Sequence, residues 1–117
     1  MPASPTLVAE VDGEIVGFVG VGPSRDEPGE GELYAIYLDP AHFGTGVGRA
    51  LMQAAVGRLR ELGYAEATLW VLDGNVRAER FYRLAGWRRD DVFRTERFGD
   101  VPVGEVRYRL QLSGGAA

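Results

Sequence analysis

Three glycines at alternate positions, Gly44, Gly46 and Gly48, stand in the stretch HFGTGVGRAL (42–51), between a β-like run and a helical one. A strand, a glycine loop and a helix start turn several free main-chain N–H groups toward one point, and the helix dipole adds about half a positive charge there. Glycine removes side chains that would hold a ligand off the backbone. The chemistry this allows is anion binding, with a tight structural turn as the alternative. The spacing is GxGxG, and no Gly-Lys-Ser/Thr follows to bind a terminal phosphate and magnesium, so this is not a P-loop. A bulky Phe43 stands directly before the loop.

A second set of residues lies further on: Leu69, Val71, Asn75, Ala78, Phe81-Tyr82 and Gly86-Trp87, the series LxVxxxNxxAxxFYxxxGW. Asn75 is of the type that caps a helix start. Adjacent helical residues point about 100° apart, so one aromatic of the pair can pack while the other faces a cleft. Phe81, in line with Leu84 and Ala85, reads as the core residue and Tyr82 as the one left for a site; the alternative is that both are core aromatics.

The elements that must position these residues follow from periodicity. LVAEVDGEIVGFVGVG (7–22) alternates around Asp12-Gly13, a hairpin signal, giving strands over about 6–11 and 14–22. PSRDEPGEGE is a polar loop, and ELYAIYLDP (32–40) a third strand stopped by Asp39-Pro40. Val47, Leu51, Ala55, Leu59 and Leu62 recur at helical spacing, with Gly63 placed to end that helix. ATLWVL (67–72) is almost wholly apolar and predicts a central strand. A helix follows Asn75 and stops at Gly86; two strands joined around Gly99-Asp100 and a frayed SGGAA tail complete the chain. The order ββ-β-α-β-α-ββ predicts an α/β fold with a sheet of mixed direction.

Composition narrows the classes. At 117 residues, with no repeat and no long linker, residues 1–117 read as one domain. There is no cysteine, which excludes disulfides, thiol nucleophiles and Cys-ligated zinc, and the one histidine, His42, gives no His-rich metal site. No run approaches the roughly 20 apolar residues of a membrane helix. MPASPTLVAE has neither the charged nor the apolar region of a signal peptide, so the expected address is the cytoplasm. A net charge of -4 argues against a general nucleic-acid binder. Every basic side chain except His42 is arginine, and beyond Gly74 the arginines outnumber the acids. That distribution reads either as a salt-bridged face or as a local patch for a polyphosphate ligand.

LxVxxxNxxAxxFYxxxGW, together with YLDPAHFGTGVGRALM (37–52), closely resembles the GNAT N-acetyltransferase superfamily, from about Leu7 to Leu112 and with both segments in the right order and separation. The resemblance implies a GNAT-like, mostly antiparallel mixed sheet with crossover helices and acetyl-CoA as acyl donor, with no metal needed. It implies that the main chain of Ile36, Tyr37 and Leu38 pairs with the pantetheine arm. The N–H groups of Gly44, Thr45, Gly46, Val47, Gly48 and Arg49 would hold the pyrophosphate, and Asn75 would contact the cofactor as well as cap its helix. Tyr82 would protonate the departing thiolate. Glu32, sharing a strand face with Tyr34 and Ile36 under period-two alternation, is the candidate base, its alternative being a solvent-facing residue at a strand end. Tyr34 and Tyr37 line an acceptor cleft or fill the core, and Trp70 and Trp87 read as core or sheet-face residues. The implied reaction is direct attack by a primary amine, in a small molecule or a protein, within a ternary complex. The alternative is a catalytically weak acyl-CoA-binding module.

Two departures from the family stand out. Phe43 occupies a position that usually carries Gln or Arg, so recognition of the pyrophosphate rests on backbone amides and the helix dipole. The sequence begins at what would be the family's second strand, leaving a sheet edge; a homodimer or a covering segment is expected there.

Overall fold

Asp12 and Gly13 both take positive φ, 52° and 83°, as a two-residue hairpin turn demands, so β1 (Thr6–Val11) folds back against β2 (Glu14–Pro23). The computed structural model describes residues 6–113; the expected tail lies, past Ser113, outside the described residues. A loop leads to β3 (Gly31–Leu38), then a 3-10 turn (Pro40–His42), α1 (Val47–Glu61), β4 (Glu66–Leu72), α2 (Val76–Leu84), β5 (Arg88–Phe98) and β6 (Val101–Gln111). The expected element order holds. β3 and β4 each begin one residue earlier than the sequence suggests.

The six strands form one sheet in the order β1-β2-β3-β4-β6-β5, antiparallel throughout except where β3 runs beside β4. The apolar β4 is central, as its composition predicts. Both helices lie on one face. Leu51, Met52, Ala55 and Leu59 of α1 are buried against Val19, Val21 and Leu33. A Cβ added at Gly31 would lie 2.8 Å from Leu59 of that helix, so only glycine admits so close an approach. Between the helices runs a groove of about 720 Å³, with Met52, Val56 and Arg60 on one wall, Phe81, Leu84 and Ala85 on the other and Leu110 as floor.

Among the described residues no helix covers the opposite face. Phe18 and Tyr37 stack there with ring centroids 5.9 Å apart, and Arg94 lies 4.1 Å over the Trp70 ring. Trp87, by contrast, is in the core. The loop after β2 is tied down over this face by Arg107, which bonds Asp26 and Glu27, and by Arg109, which bonds Glu30. Arg89, Arg94, Arg107 and Arg109 each pair with carboxylates, so for these four the salt-bridged reading of the arginine-rich half is the one the structure bears out.

Candidate active site

The parallel strands β3 and β4 are paired only at Gly31–Ala67 and Glu32–Thr68, and then separate. The cause lies in β3. Its register with β2 runs Gly20–Ala35 and then Val21–Leu33, which leaves Tyr34 opposite no residue: a β-bulge two positions past the last β3–β4 pair. A bulge bends its strand and increases the twist. From Leu33 to Leu38 the β3 main chain therefore has one side toward β2 and, among the described residues, no strand paired on the other, while β4 remains paired with β6 along its length.

The bulge corrects one expectation. It resets the alternation, so Glu32 and Ile36 do not share a face. Gly31 and Leu33 point at α1; so, after the bulge, do Ile36 and Leu38, while Glu32 and Tyr37 point to the other side. Glu32 is 0% exposed, and its carboxylate accepts the Arg25 main-chain N–H at 2.9 Å and Nη2 at 2.7 Å. It is thus neither a free carboxylate nor a solvent-facing one. Tyr34 donates from its hydroxyl to the Pro23 carbonyl. Tyr37 is largely exposed in its stack with Phe18.

The glycine loop has the geometry that its composition promises. Gly44 and Gly46 take φ of 78° and 91°, and a Cβ at either would meet nothing within 4 Å, so the loop faces open space and needs glycine for its conformation. Gly46 is the N-cap of α1 and supplies no side-chain cap. Ala50 makes the first helical bond, to the Gly46 carbonyl. Among the described residues the N–H groups of Gly44, Gly46, Val47, Gly48 and Arg49 have no acceptor. Thr45 differs, because its N–H turns inward to the His42 carbonyl at 3.3 Å and its hydroxyl bonds the same atom at 2.6 Å.

The second set comes to the same place. Asn75 caps α2 by accepting the Ala78 N–H at 3.2 Å, and Gly86 ends the helical run at φ 99°. A cavity of about 210 Å³ is lined by Ile36, Leu38, Gly48, Asn75, Arg77, Ala78, Phe81 and Tyr82. Residues from β3, α1, the turn after β4 and α2 thus converge on one opening. Tyr82 is 9% exposed and Phe81 only partly buried, while Leu84 is 76% exposed. The expected division, Phe81 as core and Tyr82 as the exposed partner, is therefore reversed in burial, because the helix turns its Glu79–Tyr82 side to the sheet. Tyr82 still lines the cavity. Among the described residues its hydroxyl has no hydrogen-bond partner, whereas those of Tyr34 and Tyr108 are bonded. Burial raises its phenol above the ordinary value, so it stays protonated at neutral pH.

Sequence reading missed Glu79 and Tyr108. Glu79 is 5% exposed; it accepts the Tyr108 hydroxyl at 2.6 Å and the Gly74 N–H at 3.1 Å, which fixes the turn carrying Asn75 to the sheet. A charged residue on the side of α2 that also carries Tyr82 was the available signal. Arg77, which the sequence places only within the arginine-rich half, stands in the first turn of α2, where a cation opposes the helix dipole.

A mixed sheet opened between its two parallel strands beside a glycine loop defines a GNAT-type fold. A family model described as "Acetyltransferase (GNAT) family" matches residues 1–87, and the chain belongs to that family. It is 40% identical over 90 residues to the mycothiol acetyltransferase of Sanguibacter keddieii, a match spanning 74% of this chain and 29% of that protein's length. Among solved structures it is similar to a nourseothricin acetyltransferase, with TM-score 0.82 and 31% identity, covering 96% of this chain and 67% of that one. It is also similar to yncA from Salmonella typhimurium, solved with its cofactor acetyl-CoA, with TM-score 0.79 and 25% identity over 97% of this chain and 68% of that one.

Proposed function

We propose that this chain carries the acetyl-CoA site and the proton donor of an N-acetyltransferase, in which a primary amine attacks the thioester directly within a ternary complex. The observation that carries the reading is Tyr82: a protonated phenol with no hydrogen-bond partner among the described residues, in one cavity with Gly48 of the glycine loop and Asn75. The free side of β3 at Ile36, Tyr37 and Leu38 suits the amide-bearing pantetheine arm, and the N–H groups of Gly44, Gly46, Val47, Gly48 and Arg49, unpaired among the described residues, suit its pyrophosphate; the Thr45 N–H, bonded to His42, is left out of that set. Attack by an amine expels a thiolate, and an acid placed beside the sulfur lowers that barrier. In this proposal Tyr82 supplies the proton.

Glu32 is the proposed base only through opening of its pair with Arg25, since both of its oxygens already accept hydrogen bonds from that residue. That pairing specifically favours the second reading, an acyl-CoA-binding module of weak activity. Among the described residues no helix is long and apolar enough to cross a membrane. β1 is an edge strand with Val8 exposed, and we propose that a second copy of the chain pairs along it. Light scattering that finds only monomer at high concentration overturns that pairing.

Two measurements test the main reading. Acetyl-CoA should raise the melting temperature while ATP and NADH do not. Release of free thiol over a panel of primary amines should then exceed the rate without amine. Stabilisation without any amine-dependent release leaves the binding module, and no stabilisation removes both readings.

A further inference from the structure

Phe43 and Arg77 are 34 positions apart in sequence and in contact: the guanidinium carbon of Arg77 lies 3.8 Å from the centroid of the Phe43 ring. Phe43 is the residue immediately before Gly44, and Arg77 lines the same cavity as Gly48 and Asn75. The geometry points to Arg77 as a side-chain ligand for the diphosphate of the cofactor, held at the glycine loop by the Phe43 ring. This rests on the acetyl-CoA site proposed above and adds to it a charged group from the second helix.

Three features of Arg77 together support that role. First, among the described residues it has no carboxylate partner, whereas Arg89, Arg94, Arg107 and Arg109 are each committed to one or more acids. Second, it stands in the first turn of α2, where a positive charge opposes the helix dipole. An anion between the starts of α1 and α2 would reverse that unfavourable term for both. Third, the Phe43 ring covers one face of the guanidinium, and among the described residues its N–H edge has no acceptor. A ring over the planar face restricts the rotamers of a long side chain, and the edge is what a phosphate oxygen meets. Phe43 is therefore a positioning residue, acting through Arg77, and its partial exposure suits that role better than a place in the core.

Calorimetric titration of the whole chain with CoA, dephospho-CoA and pantetheine tests the assignment. Arg77→Ala should weaken CoA and dephospho-CoA alike, by about tenfold, and leave pantetheine unchanged. The salt dependence of CoA binding should become shallower in the same variant, a readout that a merely structural role would not move. Phe43→Leu should weaken CoA by about threefold in the parent chain and by nothing further in the Arg77→Ala background. Arg77→Lys should retain part of the affinity. Thermal melting of each variant, alone, checks that the fold persists. Unchanged CoA affinity in Arg77→Ala overturns the inference and leaves the acetyl-CoA site standing. A loss confined to CoA moves Arg77 to the 3′-phosphate and overturns the diphosphate assignment. A parent chain that binds none of the three probes removes the cofactor site and this inference together.

Discussion

The Tyr108 hydroxyl donates to Glu79 Oε1 at 2.6 Å, so a side chain of β6 fixes the helix that carries Tyr82 three residues further on. The other oxygen of Glu79 accepts the Gly74 N–H at 3.1 Å, and Arg89 reaches the first at 3.5 Å. Replacing Glu79 with leucine removes the acceptor of the buried Tyr108 hydroxyl and of the Gly74 N–H. We expect a loss of about 1–3 kcal/mol in urea unfolding, and a smaller loss for Tyr108→Phe, which leaves the carboxylate two of its partners. Equal stability of parent and Glu79→Leu would show that the bonds contribute nothing net.

The same carboxylate predicts a pH dependence. Burial opposes its charge, but the Tyr108 hydroxyl, the Gly74 N–H and Arg89 outweigh that and hold its pKa below the ordinary 4.5. A depressed folded-state pKa contributes stability that is fully present above about 4.5 and is lost as pH falls through the lower folded value. Acid unfolding between pH 5 and 3, on the order of the usual carboxylate range, should therefore be less steep in Glu79→Gln than in the parent. An identical slope would place the acid-labile group elsewhere.

Tyr82→Phe should leave CoA affinity within about twofold and lower amine-dependent thiol release by on the order of 10²-fold or more, the usual contribution of a positioned acid. Because burial raises the phenol above its ordinary value of 10.0, the parent rate should show no alkaline loss from this group below that pH. Unchanged turnover in Tyr82→Phe rules out the acid role.

How much of this was legible in the sequence depended on range. The hairpin at Asp12-Gly13, the cap at Asn75 and the helix stops at Gly63 and Gly86 are local, and each is set by residues within a few positions of it. The two motifs identified a cleft because residues of both line one cavity. The bulge at Tyr34 was not legible, since it is a mismatch between two strands and leaves no mark in the alternation of β3 alone; it is why Glu32 was set on the wrong face. Nor was the burial of Tyr82 legible, because which side of α2 meets the sheet depends on Tyr108, 26 residues later. Arg77 over Phe43 likewise needs the two helices side by side.

The roles of main chain and side chain at the glycine loop can be ranked. At Gly46, φ is 91°, which an L side chain reaches only at a cost of roughly 1–2 kcal/mol, so Gly46→Val shifts the loop that aims the N–H groups. At Gly48 the difficulty is space: a Cβ would lie 3.4 Å from Leu38 and 3.6 Å from Phe81, and the rest of a valine would narrow the cavity. Phe43→Gln leaves every amide in place and removes only the ring beneath Arg77. Calorimetry should therefore find about tenfold or greater loss of CoA affinity for each glycine variant, with about threefold for Phe43→Gln. Melting curves taken without ligand separate these losses from unfolding. The reverse order, with Phe43→Gln the most damaging of the three, would mean that the side chain at position 43, and not the N–H groups of Gly46, Val47, Gly48 and Arg49, carries the recognition.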